Sequence, residues 1–347
     1  MREDDGSIFD EMIKPRLRWD PKGPIPQMFL KHVTDHILAP YYQEVRANDR
    51  DAIKFGFIDD INFNAFAIFP NTIAVNLGSL AILLAIYRYM LATPQILPSI
   101  GDSSKEVEPP PVSWLGFVDA AIMPKDPTRR AYSLYLASMA FDFLVRHELA
   151  HLRNGHVDFL NAEAGIQQIL EINTQDSGIN LLDFQTMEMD ADCYAARNGF
   201  QWFISREAEL YTDTQTLVAG GPNRQTAYLW LFAIHGFFLA FYEAAVAASE
   251  IQARTHPPTN MRQVIINATI LEIITGPLAE MFREVVGPAV GDSSRAFAQL
   301  HGKNVDPTYA LTAINEEYQA HSQRILSNWN SLRPRLLPFA RGPLVGG

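Results

Sequence analysis

Hydrophobic residues recur at helical spacing along most of the chain, and only one short region has the composition of strands. The longest helical stretch begins after Asp126, a good capping residue, with Pro127 at the first position, and Gly155 can end it. Further helices are expected at 26–54 (interrupted at Pro40), 160–172, 183–198, 224–250, 261–286 and 308–333. The pattern therefore predicts a mostly helical protein.

Two strands are expected near the start of the chain. Residues 61–69 and 72–78 are rich in β-branched and aromatic residues, and the Pro-Asn pair between them indicates a turn. Gly78 would end the second strand, and Ser79 would cap the helix that follows. We therefore predict an α+β fold, mostly helical, with one small β-hairpin or sheet.

The expected domain organisation has three parts. Residues 1–60 would form an N-terminal helical arm, residues 61–290 the main domain, and residues 291–347 a C-terminal helical extension packed on that domain. The loop 97–114 is rich in Pro and Ser and is a candidate lid over a cleft. The last ten residues, PFARGPLVGG, are expected to be unstructured.

Composition narrows the function classes. The net charge is −11, which argues against a nucleic-acid partner because such proteins normally present a basic face. Cys193 is the one cysteine, so no disulfide can form within the chain, and a reducing compartment fits. The N-terminus lacks the pattern of a secretory signal, which makes the cytoplasm the expected location. Residues 226–242 are apolar, and we favour a buried core helix over inner-membrane association through them.

The candidate chemistry lies in VRHELAHLRNGH (145–156). His147 and His151 are four residues apart, so a helix places both imidazoles on one face, where they can bind a single tetrahedral Zn²⁺. Glu148 is placed to take a proton from a metal-bound water. We therefore predict one Zn²⁺ per chain, with Glu148 as general base. The alternative is a charged helix face that carries the two histidines by coincidence.

A third zinc ligand is expected on a second helix. His156 follows His151 by five residues, just past the expected helix end, and is rejected as a ligand. In TMEMDADCYA (186–195), Glu188 and Asp192 share one helical face. Glu188 would bind the metal, and Asp192 would accept a hydrogen bond from a zinc-bound histidine, His147 being the candidate. Asp190 is expected to point elsewhere. The alternative is an acidic surface helix.

Other histidines and the cysteine are assigned structural roles. His32 and His36 lack a glutamate partner and are interpreted as a surface pair, whereas His235 is interpreted as a core histidine with a satisfied hydrogen bond. Cys193 is expected to pack as a small apolar residue.

The order of these motifs resembles that of the gluzincin metallopeptidases, in which HExxH is followed by ExxxD. Two further segments, FNAFAIFPNTIAVNLGSL (63–80) and THPPTNMR (255–262), make the resemblance closest to the HtpX, Oma-like and CAAX-type peptidases. The four segments occur in the family order. A second resemblance, to the phage-exclusion protease Lit, rests on HExxH with a Gly-His pair after it.

The resemblance implies a zincin-like metallopeptidase domain. It implies that His256 lies near the metal, where it would stabilise an oxyanion or gate the fourth zinc position, with Arg262 close by as a substrate-binding residue. It also implies that Asn64, Ala65 and Phe66 lie on an edge strand that pairs with an extended substrate. The membrane helices of the HtpX and CAAX enzymes have no clear counterpart here.

The expected function is zinc-dependent endopeptidase activity on a protein or peptide substrate. One rival is a zinc-binding interaction or sensor protein that keeps the fold without catalysis. A second rival is a helical scaffold without metal.

Overall fold

The computed structural model describes residues 23–45, 52–109, 122–170, 180–206, 222–239, 248–301 and 316–344. The described α-helices are α1 Pro24–His32, α2 Ala39–Glu44, α3 Leu77–Ala92, α4 Pro127–Arg153, α5 His156–Ala164, α6 Leu181–Ser205, α7 Pro222–Leu239, α8 Ala248–Ile251, α9 Thr259–Ile273, α10 Gly276–His301 and α11 Glu316–Leu336. The strands are β1 Lys54–Ile58, β2 Ala65–Ile68, β3 Thr72–Asn76 and β4 Gln168–Leu170. The protein is mostly helical with a small mixed sheet, an α+β arrangement.

The sheet has the strand order β1-β3-β2-β4. β2 and β3 form the expected antiparallel hairpin, β1 pairs with β3 in parallel, and β4 pairs with β2 in antiparallel orientation. Neither β1 nor β4 was expected: the N-terminal helical segment ends at Glu44, and β4 follows α5 where helix was predicted. These two strands are the edges of the sheet.

Helix α4 lies at the centre of the fold. It packs against α3, α6 and α7, and against strands β2 and β3. The helix begins as predicted, with Asp126 as its capping residue. The Asp126 side chain accepts from the backbone N–H groups of Thr128 (3.0 Å) and Arg129 (3.1 Å). All residues from Met139 to Arg153 are buried. The HELAH motif is therefore interior, which excludes the charged surface helix as its environment.

The start of α3 differs from the prediction. The helix begins at Leu77, so Gly78 lies in its first turn, and Asn76 rather than Ser79 is at the capping position. The Ser79 hydroxyl instead donates to the carbonyl of Asn64 and accepts from its N–H, both at 2.8 Å. Ser79 thus joins α3 to the residue before β2.

The N-terminal helix does not break at Pro40. A π-helix, Val33–Leu38, joins α1 to α2 without a break. Pro40 has no N–H to offer the carbonyl of His36, and the Arg146 guanidinium donates to that carbonyl from α4 at 3.1 Å. This contact attaches the helical segment around Pro40 to α4.

The expected lid over 97–114 is wrong for the part that the structure describes. The buried Arg129 guanidinium donates to five backbone carbonyls, those of Leu91, Thr93, Ile96, Leu97 and Ile100, at 2.7–3.0 Å. These contacts fix the segment at the start of α4. From Arg129 to His147 the helix rises ~27 Å, so the segment lies far from the HELAH motif. Residues 110–114 lie outside the described residues.

The C-terminal segment is ordered up to Leu344, contrary to the prediction of an unstructured tail; residues 345–347 lie outside the description. The Arg341 N–H donates to the carbonyl of Arg153 (2.8 Å), and the Arg153 guanidinium donates to the carbonyl of Pro343 (3.0 Å). The Arg341 guanidinium also pairs with Asp158 on α5 at 2.9 Å. The segment therefore lies against the end of α4.

The apolar stretch 226–242 lies in α7 as far as Leu239, and residues 240–242 are outside the description. Trp230, Phe232, Phe237 and Phe238 are each at most 1% exposed. The prediction of a buried core helix is confirmed for this part. Among the described residues, no helix is both long and apolar enough to cross a membrane.

Two features link residues on opposite sides of the expected domain boundaries, and the division itself stays a prediction. β1 lies before residue 61 and pairs with β3, and α10 runs through residues 290 and 291. The main domain therefore shares its sheet with the expected N-terminal arm.

Candidate metal centre

Three side chains from two buried helices converge at one point. His147 and His151 lie one turn apart on α4, and Glu188 lies on α6, which packs along α4. The two histidines are each 1% exposed and Glu188 is 2% exposed. Their potential ligand atoms all lie within 4.8 Å of one another, close enough to hold one metal ion. Among the described residues, this is the group of His, Cys, Asp or Glu side chains that meets that condition.

The separations of the donor atoms fit a tetrahedral ion. The Nε2 atoms of His147 and His151 are 3.0 Å apart, and they lie 3.2 Å and 3.4 Å from the two Glu188 carboxylate oxygens. Ligands at 2.0–2.1 Å from a tetrahedral zinc are separated from one another by about 3.3 Å. The three donors are therefore spaced as the ligands of one such ion would be.

The hydrogen bond on the far side of His147 fixes its tautomer. Nδ1 of His147 lies 3.0 Å from Oδ1 of Asp192, so the carboxylate accepts its proton and Nε2 presents a lone pair. Arg262 in turn donates to both oxygens of Asp192, at 2.7 Å and 2.9 Å. Asp192 contacts His147, as expected. Arg262, expected to bind substrate, is paired with Asp192 and lies 4.0 Å from Glu188.

His151 also has a partner on its far side. Its Nδ1 lies 3.0 Å from Nδ1 of His156, and Nε2 of His156 lies 3.1 Å from Oδ2 of Asp190. The Asn154 amide donates to the same Asp190 oxygen at 2.5 Å. His156 thus lies behind His151, not beside the three donor atoms. Asp190, expected to point elsewhere, is not among the three donor residues and faces His156 on α5.

Opposing charges set the ionisation of the site. Burial disfavours the charged form of Glu188, but the facing His256, His151 and His147 rings together hold its pKa well below the usual value. Burial also opposes ionisation of Asp192, and the Arg262 guanidinium with the His147 hydrogen bond lowers its pKa. Burial lowers the pKa of His151 well below the usual value. Both carboxyl groups are therefore held towards the charged form, and burial favours the neutral, ligating form of His151.

His256 is the exposed member of the cluster. Its side chain is 20% exposed, and Nε2 lies 3.4 Å from Oε2 of Glu188. The Thr255 hydroxyl lies 2.9 Å from Nδ1 of His256. The Gln185 amide, one turn before Glu188, donates to the carbonyls of Ile251 and Arg254 at 2.7 Å each. Gln185 thereby holds the turn that carries His256 against α6.

Glu148 lies on α4 directly after His147 and is 1% exposed. Its carboxyl group is therefore inside the same buried region as the three donor atoms. Its role as general base stays a prediction.

The hairpin residues are arranged differently from the expectation. β2 is not an edge strand, because β3 and β4 lie on its two sides. Phe66 is paired with Ala74 of β3 and Leu170 of β4, and an extended substrate cannot pair with β2 where β4 already lies. The Asn64 carbonyl accepts from the Asn76 N–H (3.0 Å), and the Ala65 N–H donates to the Asn64 side chain (3.0 Å). A role of Asn64, Ala65 and Phe66 in substrate binding stays a prediction.

The remaining candidates lie outside the cluster. His32 is not a simple surface residue, because its Nε2 lies 2.9 Å from Oδ1 of the buried Asp142. Nε2 of His235 lies 2.8 Å from the Ser294 hydroxyl, which agrees with a core histidine that is hydrogen-bonded through one ring nitrogen. Burial raises the pKa of the Cys193 thiol to about 12, which disfavours the reactive thiolate, and the side chain packs against the core as expected.

Compared with known proteins, the chain matches no family model, no curated protein and no solved structure.

Proposed function

We propose that the chain is a zinc-dependent endopeptidase with a zincin-like domain. The observation that supports this proposal best is the buried group of His147, His151 and Glu188, whose donor separations suit one tetrahedral cation. Two imidazole lone pairs and a carboxylate facing one point make an electron-rich pocket that a cation stabilises. Two His and one Glu, with a fourth position left open, is a ligand set of catalytic zinc sites.

In this proposal, each residue of the site has a distinct role in peptide hydrolysis. Bound zinc supplies Lewis-acid activation of water and of the scissile carbonyl. Glu148 takes the proton from the attacking water and gives it to the leaving amine. His256, with Nδ1 held by the Thr255 hydroxyl, directs Nε2–H towards the oxygen on which negative charge develops. Asp192 and Arg262 keep His147 in its ligating tautomer.

A catalytically silent zinc-binding sensor is the second candidate. The three ligands are each at most 2% exposed, and this burial is also typical of structural metal sites. Glu148 separates the two candidates, because a structural site does not need it. The presence of Glu148, an acidic group of the motif that is not a metal ligand in this proposal, favours the enzyme over the sensor.

The metal is tested first, by elemental analysis of the purified protein beside a His151→Ala variant. About one zinc per chain in the wild type, lost in the variant, supports the site. No metal in either protein after zinc back-titration would refute it and favour the metal-free scaffold.

Catalysis is tested by digestion of a denatured-protein and peptide mixture by wild type and Glu148→Gln, with cleavage products identified by mass spectrometry. The variant should keep zinc and lose cleavage. Zinc in both proteins with no cleavage by either would support the sensor, and an active Glu148→Gln protein would remove Glu148 as the general base.

A further inference from the structure

A buried chain of polar side chains leads away from His151 on the side opposite the three donor atoms. His156 is 0% exposed and Asp190 is 5% exposed. The two ring contacts are 3.0 Å (Nδ1 of His151 to Nδ1 of His156) and 3.1 Å (Nε2 of His156 to Oδ2 of Asp190). Buried polar groups are retained only with partners, so this arrangement of two rings and a carboxylate needs a reason.

One proton must lie between the two histidines. Nitrogens 3.0 Å apart cannot both carry hydrogen, and two lone pairs would repel. If the proton is on Nδ1 of His151, its Nε2 has a lone pair and can bind a metal. If the proton is on Nδ1 of His156, Nδ1 of His151 is bare, and a neutral His151 has its single ring N–H proton on Nε2, which then cannot bind a metal.

Asp190 decides between these two arrangements. Its Oδ2 lies 3.1 Å from Nε2 of His156, off the line of a good hydrogen bond, and the negative charge of the carboxylate favours a proton on that nitrogen. A neutral His156 then has a bare Nδ1, which accepts from His151. We propose that His156 and Asp190 are positioning residues that fix His151 in the tautomer whose Nε2 binds the metal. This inference rests on the proposed metal site.

The backbone brings His156 into this place at a single glycine. Gly155 has φ +79°, which side-chain-bearing residues rarely adopt, and it lies between the end of α4 and the start of α5. A Cβ at Gly155 would also lie 2.6 Å from the backbone of Phe339. The left-handed turn starts α5 immediately, and its first residue contacts the ring five positions earlier.

The two zinc-binding histidines would thus be oriented by two different sets of hydrogen-bond partners. His147 donates directly to Asp192, whereas His151 donates to His156, whose Nε2 lies at ion-pair distance from Asp190. Asn154, which donates to Asp190 at 2.5 Å, holds the second carboxylate in place. Removing such a partner behind a ligating histidine typically weakens metal binding by 10–100-fold.

The first test compares zinc affinity, by competition with a chromophoric chelator, in wild type, Asp190→Asn and His156→Leu. Glu163→Gln, at an exposed position of the same helix α5, is the matched control. We expect zinc affinity to fall 10–100-fold in both variants and to be unchanged in the control. The Co²⁺ absorption bands of both variants should also shift, which a loss of stability alone would not cause.

The second test needs no variant and therefore holds if either substitution prevents folding. Long-range ¹H–¹⁵N NMR of the zinc-loaded wild type should show His151 protonated on Nδ1 and His156 protonated on Nε2 with a bare Nδ1. We call this proposed action of Asp190 on His151 through His156 the relay. A proton on Nδ1 of His156, or unchanged zinc affinity in Asp190→Asn, would overturn it.

The two proposals fail in distinguishable ways. Wild-type protein that binds no zinc removes the proposed function and the relay with it. Wild-type protein that binds one zinc, beside an Asp190→Asn protein of equal affinity, removes the relay alone.

Discussion

Arg262 donates two hydrogen bonds to Asp192, from Nε to Oδ2 at 2.7 Å and from Nη2 to Oδ1 at 2.9 Å. Asp192 accepts from His147 as well, so the guanidinium sets the position of the carboxylate that orients a candidate ligand. The interaction joins α9 to α6 and α4 within the core.

Replacing Arg262 with Lys should weaken zinc binding about tenfold, because an ammonium cannot make both bonds in this geometry. Chelator competition measures the change. Arg295→Lys is the control, since the Arg295 side chain is 74% exposed. Equal zinc affinity in Arg262→Lys and wild type would show that Asp192 holds its place without the guanidinium.

Gly78→Ala should be strongly destabilising. A Cβ at Gly78 would lie 2.0 Å from the carbonyl oxygen of Ile61, and this backbone atom cannot move aside cheaply. Overpacking of this kind costs about 1–3 kcal/mol or more. Urea unfolding measures the loss, with Gly291→Ala as control: Gly291 lies in helix α10, a Cβ there would meet only the end of the Arg295 side chain at 3.4 Å, and alanine should be neutral or slightly stabilising. Equal midpoints for the two variants would contradict the packing.

Arg129→Met should destabilise the fold and spare the metal centre. The substitution leaves five carbonyls without their donor, and it removes the cation 3.9 Å from the buried Glu106, a loss of about 3–5 kcal/mol. Zinc stoichiometry should stay at that of the wild type, because Arg129 is some five helical turns from His147.

Arg130→Met, at an exposed position beside it, is the control, and chemical denaturation with elemental analysis gives both readouts. Loss of zinc from a folded Arg129→Met protein would show that the two ends of α4 are coupled.

His235 should make stability depend on pH. Burial lowers the pKa of His235 to about 4, below its value near 6.5 in the unfolded chain. The unfolded chain therefore takes up the proton first, and the stability is present above pH 6.5 and lost as the pH falls towards 4. The loss by pH 4 is about 3 kcal/mol.

Unfolding free energies of wild type and His235→Gln between pH 7 and 4 test this dependence. The variant should lose less stability over that range, and the difference between the two proteins isolates His235 from the other histidines. Parallel curves would mean that His235 is not the group responsible.

Local sequence signals were sufficient where local chemistry decides the structure. The Asp126–Pro127 start of α4 is a capping interaction between near neighbours, and it was predicted. Residues four apart share one face of a helix, so helix geometry alone predicts that His147 lies beside His151 and that Glu188 lies beside Asp192. These pairs do face one another across α4 and α6.

Contacts between distant residues were missed. β1 and β4 are short, and each is a strand only because β3 or β2 lies beside it. The role of Asp190 depends on α5, whose direction is set by the left-handed turn at Gly155. The Gly-His pair at 155–156 was the available signal, since a glycine that ends one helix allows the next residue to return towards it.

The seating of the C-terminal segment on Arg153 has a consequence for biosynthesis. Arg153 and Pro343 are 190 residues apart in the sequence. At 5–20 residues per second, the ribosome adds that length in roughly 10–40 s. During this interval the nascent chain already carries both histidines of HELAH, but the end of their helix has not received its last partner. The end of α4 therefore receives this contact only after Pro343 has been synthesised, so any earlier folding of the helix that carries HELAH proceeds without it.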